Sequence, residues 1–250
     1  MLVLAVHGSA VPEAGATIER LAESVRRLTG TRVVVGHLGD LGHQAPSLAE
    51  VLASCPGAVV VPLLLGDGYH RTVDIPAVAR RHDCVVTPGL SGVPAVGLAL
   101  HDRLVEAGGP GDAVVVAGAG SSRPGGNGGT EAAARLLARR VGVPVVTAYC
   151  SASEPSVRDA VAGLRAAGHA RVAIATHLLA PGRFTHALAA VPGAWTVAAP
   201  LGAHPGLAHT VAWRYREART LAADGSPPVP EAGPRANRPG RAPALVSWGA

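Results

Sequence analysis

Apolar runs of strand length alternate with stretches of helical spacing about eight times along the chain. The runs are Leu2 to Val6, Arg32 to Val35, Ala58 to Leu65, Cys84 to Thr87, Ala113 to Gly118, Val143 to Tyr149, Arg171 to Thr176 and Trp195 to Ala199. Between Glu13 and Leu28, the residues Ile18, Leu21, Ala22, Val25 and Leu28 share one face at the 3.6-residue period, and Glu23 is spaced to pair with Arg27. Strands that are apolar throughout have both faces covered. The pattern therefore predicts an α/β fold of parallel sheets with helices on both sides.

The pattern is written twice. A shift of 112 residues lays LVLAVHGSAVP over VVVAGAGSSRP, so that Gly8 meets Gly120, Ser9 meets Ser121 and Pro12 meets Pro124. Further on, VVVPLLLGDGYH falls near VAIATHLLAPGRF, and the closing helix from Val93 has its counterpart from Pro205. Two tandem domains of four strands each follow, 1–108 and 112–222, joined at the AGGPG of Ala107 to Gly111. From 224 to 250 the chain is rich in Pro, Gly and Arg without an apolar period, which predicts a disordered tail.

With 48% hydrophobic residues the chain has the material for a core. All 22 basic residues are Arg, and they are scattered through a sequence with one Phe, three Trp and three Tyr, a composition poor in the basic runs and stacking platforms of nucleic-acid binding. Cys55, Cys84 and Cys150 lie far apart with no CxxC pair, so neither a disulfide framework nor a thiolate metal cage is expected. The opening MLVLAVHGS has no basic lead and too short an apolar run for a signal peptide or a membrane span, and a cytoplasmic location is expected. GAGSSRPGGNGG lacks the GK[ST] of a P-loop and the third glycine of a dinucleotide fingerprint.

Chemistry is concentrated at two strand ends. His7 follows the first strand directly, and GDGYH delivers His70 just after the third. In a 2-1-3-4 strand order those strands are neighbours, and ligands of open parallel sheets bind beyond their carboxyl ends. The two imidazoles then face each other, an arrangement suited to a divalent transition metal or to a base pair for proton removal; each is also a residue type that merely satisfies loop backbone. In the second half Ala119 stands for His7, and Phe184 falls near the place of His70 across a gap of about two residues. One copy carries chemistry and the other supports it.

The motifs V-H-G-S and V-P-L-L-L-x-x-G-x-H-x-x-x-D-I-P, about 55 residues apart, resemble those of the sirohydrochlorin chelatases, class II enzymes that insert a metal into a reduced tetrapyrrole. The resemblance covers residues 1 to about 220. It implies two tandem flavodoxin-like, or chelatase-like, domains, with His7 and His70 as catalytic residues and metal ligands. Fe2+ is the first expected metal, for siroheme; Co2+ for cobalamin is the alternative, Ni2+ is a third candidate, and a non-catalytic metal or tetrapyrrole carrier is the rival reading. The metal is substrate, with no separate cofactor, and no nucleic-acid or membrane partner is implied. The duplication is compatible with a monomer.

Many relatives carry an acidic residue ahead of P-S-L, where His43 and Gln44 stand here, with Asp40 the nearby carboxylate. The substrate class bears eight carboxylates, so its pocket calls for fixed positive charge and backbone donors. Gly8, Ser9, Gly68, Tyr69, Arg71, Arg123 and Arg183 sit at strand-end loops and are the expected substrate-binding residues. His177 and His186 are candidate additional ligands, and Asp74 is expected to cap the helix after it.

Overall fold

The computed structural model describes residues 1–9, 11–39 and 45–224. Of the predicted tail, Asp224 caps the last helix and residues 225–250 lie outside the described residues, as do Asp40, His43 and Gln44. The first half runs β1 (Leu2–Val6), α1 (Pro12–Thr29), β2 (Val33–His37), α2 (Leu48–Ala53), β3 (Val59–Pro62), a π-turn (His70–Asp74) leading into α3 (Ile75–Arg80), β4 (Val85–Val86) and α4 (Pro94–Glu106). The second half repeats it as β5 (Ala113–Gly118), α5 (Gly128–Val141), β6 (Val145–Tyr149), α6 (Val157–Ala166), β7 (Val172–His177), α7 (Arg183–Ala189), β8 (Thr196–Val197) and α8 (Pro205–Ala223).

The strands form two four-stranded sheets, ordered β2-β1-β3-β4 and β6-β5-β7-β8 and parallel throughout. Every residue of β1 is buried, and alternate side chains feed opposite layers: Leu2, Leu4 and Val6 join one apolar cluster, whereas Val3 and Ala5 join a second with α2 and α3. This two-sided burial is why the strands read as continuous apolar runs. Proline occupies the first turn of α1, α4 and α8, where no intrahelical partner for its missing N–H is needed. Gly30 closes α1 in the left-handed region at φ 64°, its N–H bonded to the Arg26 carbonyl at 2.8 Å. On that helix Arg26, not Arg27, makes the closer contact to Glu23, 3.1 Å against 3.9 Å, and it also reaches Glu19 at 2.7 Å.

The closing helices are exchanged between the halves. α4 packs on β7 and α5 of the second half, and α8 packs on β3 and α1 of the first. Leu100 and Leu104 of α4 are essentially inaccessible, in one cluster with Val114 and Leu137 of the second half and with Leu207 and Val211 of α8. Burial of side chains of this size stabilises by about 1.5–3 kcal/mol each, so the halves share one core. Polar contacts fasten the exchange: Arg103 donates to the Leu201 carbonyl at 3.1 Å, Asp102 bonds His204 at 3.0 Å, and Tyr215 donates to Thr31 at 3.2 Å. Backbone approaches backbone at Gly129, where a Cβ would lie 2.0 Å from the Leu65 carbonyl oxygen.

Candidate functional site

The chain leaves β1 at Val6, and His7 is the first residue beyond the sheet. Gly8 then turns at φ 90°, a conformation that side chains rarely adopt, and Gly120 repeats it at the same angle in the second half. β3 leaves the sheet through Leu63 to Leu65 and Gly66 to Gly68, and the chain enters the π-turn that begins with His70. Because β1 and β3 are neighbours in register, with Ala5 opposite Pro62, both exits lie at one rim. The imidazole centroids of His7 and His70 are 5.0 Å apart, with ring planes at 85°.

Each ring has its Nδ1 occupied. His70 Nδ1 is 2.6 Å from Asp74 Oδ2, and His7 Nδ1 is 3.3 Å from the Gly8 carbonyl oxygen. A carbonyl or carboxylate oxygen only accepts, so each Nδ1 carries a proton, and in the neutral ring Nε2 keeps the lone pair. Such an Nε2 can coordinate a metal or take a proton.

Asp74 corrects an expectation. Asp-Ile-Pro was expected to cap the next helix through the aspartate side chain, but Asp74 is itself helical at φ −66°, ψ −52°, and makes no cap bond. The π-turn, closed by the Ile75 N–H on the His70 carbonyl, carries the chain continuously into α3 and leaves the carboxylate free to hold His70. One-turn π segments of this kind are frequent at functional sites.

The pair opens on a cavity of about 640 Å³ between the carboxyl ends of the two sheets, the size of a small-molecule site. His7, Gly8, Ser9, Gly68, Tyr69, His70, Arg71 and Arg183 all line it. Arg123 does not. It reaches from the second half to donate to Thr72 Oγ1 at 3.0 Å and lies 5.7 Å over the Tyr69 ring, so it braces the rim from outside. Arg71 lies against the wall with its guanidinium ion-paired to Asp67, whose carboxylate also accepts from Ser91 at 3.0 Å. Arg183 begins α7, its guanidinium 5.1 Å over Phe184. In the second Gly-rich loop, Asn127 donates to Ser153 and Ser153 to the Ser121 carbonyl, both at 2.8 Å, which fixes that wall.

The CbiX family model matches residues 1–107 and, a second time, residues 113–218. The chain belongs to the CbiX family. No curated protein matches it significantly. Among solved structures it is similar to SirB from Bacillus subtilis solved with Fe3+, at 23% identity and a TM-score of 0.70, covering 89% of this chain and 96% of that one. It is also similar to the sirohydrochlorin chelatase SirB from Bacillus subtilis subspecies spizizenii in complex with cobalt, at 21% identity and a TM-score of 0.69, with 89% and 96% covered. A third is CbiX, the terminal enzyme for biosynthesis of siroheme in denitrifying bacteria, at 20% identity and a TM-score of 0.61, with 87% and 98% covered. These likenesses establish the fold.

Within the two CbiX repeats the strand registers fix which residues correspond. Val6 pairs with His37 as Gly118 pairs with Tyr149, a shift of 112. Ala5 pairs with Pro62 as Ala117 pairs with Thr176, so at the third strand the shift is 114 and carries Leu63 onto His177 and His70 onto Phe184. The two-residue gap of the sequence comparison is thus located between the second and third strands.

Two further histidines line the cavity. His37 ends β2 beside Val6, its Nδ1 buried without a hydrogen-bond partner, and burial lowers its pKa from the usual histidine value. The sequence does not single it out, because Gly36 interrupts the apolar run. His177 ends β7 and is 4% exposed, with Nδ1 3.2 Å from Thr130 Oγ1. His186, the other candidate of its motif, sits exposed on α7 outside the cavity lining. Among the described residues no group of three or more His, Cys, Asp or Glu is placed to hold a metal, and no helix is long and apolar enough to cross a membrane.

Burial drives the His177 pKa down to about 4. Its stabilising contribution is complete above the unfolded value near 6.5 and is lost as pH falls towards 4, because only the unfolded chain takes up the proton in that window. The loss amounts to about 3 kcal/mol over the interval. Denaturant midpoints measured from pH 7 to pH 4.5 should fall in the wild type and fall less steeply in His177→Leu.

Proposed function

We propose that the chain is a sirohydrochlorin chelatase, with residues 1–108 supplying the chemistry and 112–222 the facing wall. The observation that carries this is the pair of imidazoles 5.0 Å apart, each hydrogen-bonded through Nδ1 so that the neutral ring has its lone pair on Nε2, at the mouth of a cavity between two CbiX repeats. The reaction replaces two pyrrole N–H protons by one divalent ion. Neutral imidazole serves both halves of that exchange, as a ligand of intermediate softness and as a base with an ordinary pKa near 6.5. Two ligands leave most of the coordination sphere to water and pyrrole nitrogens, whereas four would close it and retain the ion.

His7 and His70 are assigned as metal ligands and proton acceptors. Gly8, Ser9, Gly68, Tyr69 and Arg183 are assigned to the macrocycle; Arg71 and Arg123 shape the loop and the rim through Asp67, Thr72 and Tyr69. Fe2+ is the proposed metal, with Co2+ second and Ni2+ third. The SirB relatives, solved with Fe3+ and with cobalt, support the first two choices. An anaerobic absorbance assay with sirohydrochlorin and each ion tests the reading. A chelatase converts many macrocycles per chain, with the largest kcat/KM for its own metal; saturation at one equivalent would identify a carrier instead.

A further inference from the structure

The cavity wall differs between the repeats at three positions together. In the first repeat Val6, Ile18 and Leu63 form an apolar patch facing the cavity. The shifts of 112 and 114 place Gly118, Thr130 and His177 there in the second, exchanging three aliphatic side chains for a hydrogen-bonded pair and the glycine that admits it. A Cβ on Gly118 would lie 2.4 Å from Thr130 Oγ1, so only glycine leaves the hydroxyl its place beside His177. Both Thr130 and His177 line the cavity.

A carboxylate ligand would fix the tautomer. Among the described residues, His177 Nδ1 is the hydrogen-bond partner of the Thr130 hydroxyl. Either direction within the pair leaves one proton to be met elsewhere, the hydroxyl's or the Nε2–H; a carboxylate oxygen placed at Nε2 accepts the second, and with Thr130 donating to Nδ1 both protons are then matched. In that arrangement Nδ1 accepts, and the imidazole N–H is at Nε2, the ring atom away from Thr130. Burial also keeps the ring neutral at pH 7.

We infer that His177 is a substrate-positioning residue contributed by the second repeat, its Nε2–H donating to a carboxylate of the tetrapyrrole in the cavity it lines together with the His7–His70 pair. This rests on the chelatase reading. A neutral donor suits the task because a cationic imidazole in the same cavity would repel the incoming metal ion.

The test titrates metal-free sirohydrochlorin against the full chain by fluorescence under anaerobic conditions, with His177→Leu, His177→Gln and Thr130→Val. Glutamine puts an amide N–H near the position of Nε2; leucine reproduces the first repeat. Expected results are binding about 10-fold weaker for His177→Leu, within about 3-fold of wild type for His177→Gln, and intermediate for Thr130→Val, as loss of one hydrogen bond to a charged group requires. KM should follow these changes with kcat within about 2-fold. Unchanged binding in His177→Leu overturns the inference and leaves the chelatase reading standing. A wild-type chain that binds no tetrapyrrole overturns both. If His177→Leu fails to fold, the Gln and Thr130→Val variants decide: equal binding in wild type and Thr130→Val counts against the inference.

Discussion

Alanine at His7 or at His70 is expected to lower metal insertion by about 10²- to 10⁴-fold, the range in which a positioned proton acceptor contributes, with loss of a metal ligand added. Either substitution removes one of two Nε2 lone pairs 5.0 Å apart at ring centroid, and the remaining ring cannot both hold the ion and receive protons. Folding is unaffected on this account, because His7 is exposed, the His70 side chain is 44% exposed, and neither belongs to an apolar cluster. The check is initial rates in the anaerobic assay beside a thermal melt, with midpoints within about 2 °C of wild type. Normal rates in both variants would remove the mechanism.

Asn at Asp74 should cost about 10- to 100-fold in insertion, the usual scale for a residue that orients a metal-binding histidine. The carboxylate 2.6 Å from His70 Nδ1 holds the proton there. An amide of the same shape can donate instead of accept, and the tautomer it then favours places the proton on Nε2 and removes the lone pair. The substitution also separates the two roles considered for this residue. Asparagine is as good a helix cap as aspartate, so a capping Asp74 tolerates the change, whereas an orienting Asp74 does not. A Co2+ titration by visible absorption reports the affinity alongside the rate.

Much of this molecule is legible in its sequence, and the rest is hidden for identifiable reasons. Uniformly apolar strands, helix faces such as Ile18 to Val25 and the shift of 112 residues expose the duplicated α/β fold. His7 and His70 declare themselves because one repeat has them and the other has Ala119 and Phe184. The exchange of α4 and α8 is invisible because Leu100 and Leu104 form the same stripe whichever sheet they cover. Asp74 is misjudged because Asp before Ile-Pro looks like a helix start, while the π-turn that precedes it depends on tertiary context. Arg123 shows only that it follows a strand end; that it braces Tyr69 and Thr72 from across the cleft depends on how the repeats face each other. His177 is visible as a candidate, but its placement needs the strand register that puts it opposite Gly118.

The central claim is that one divalent ion is held by both imidazoles of the first repeat. X-ray absorption at the cobalt edge on the full chain loaded with one equivalent of Co2+ measures this directly. Scattering from two imidazoles in the wild type, falling to one in His7→Ala and in His70→Ala, is the predicted result. An ion with no imidazole neighbours, or the same two-imidazole signal in either alanine variant, would contradict it.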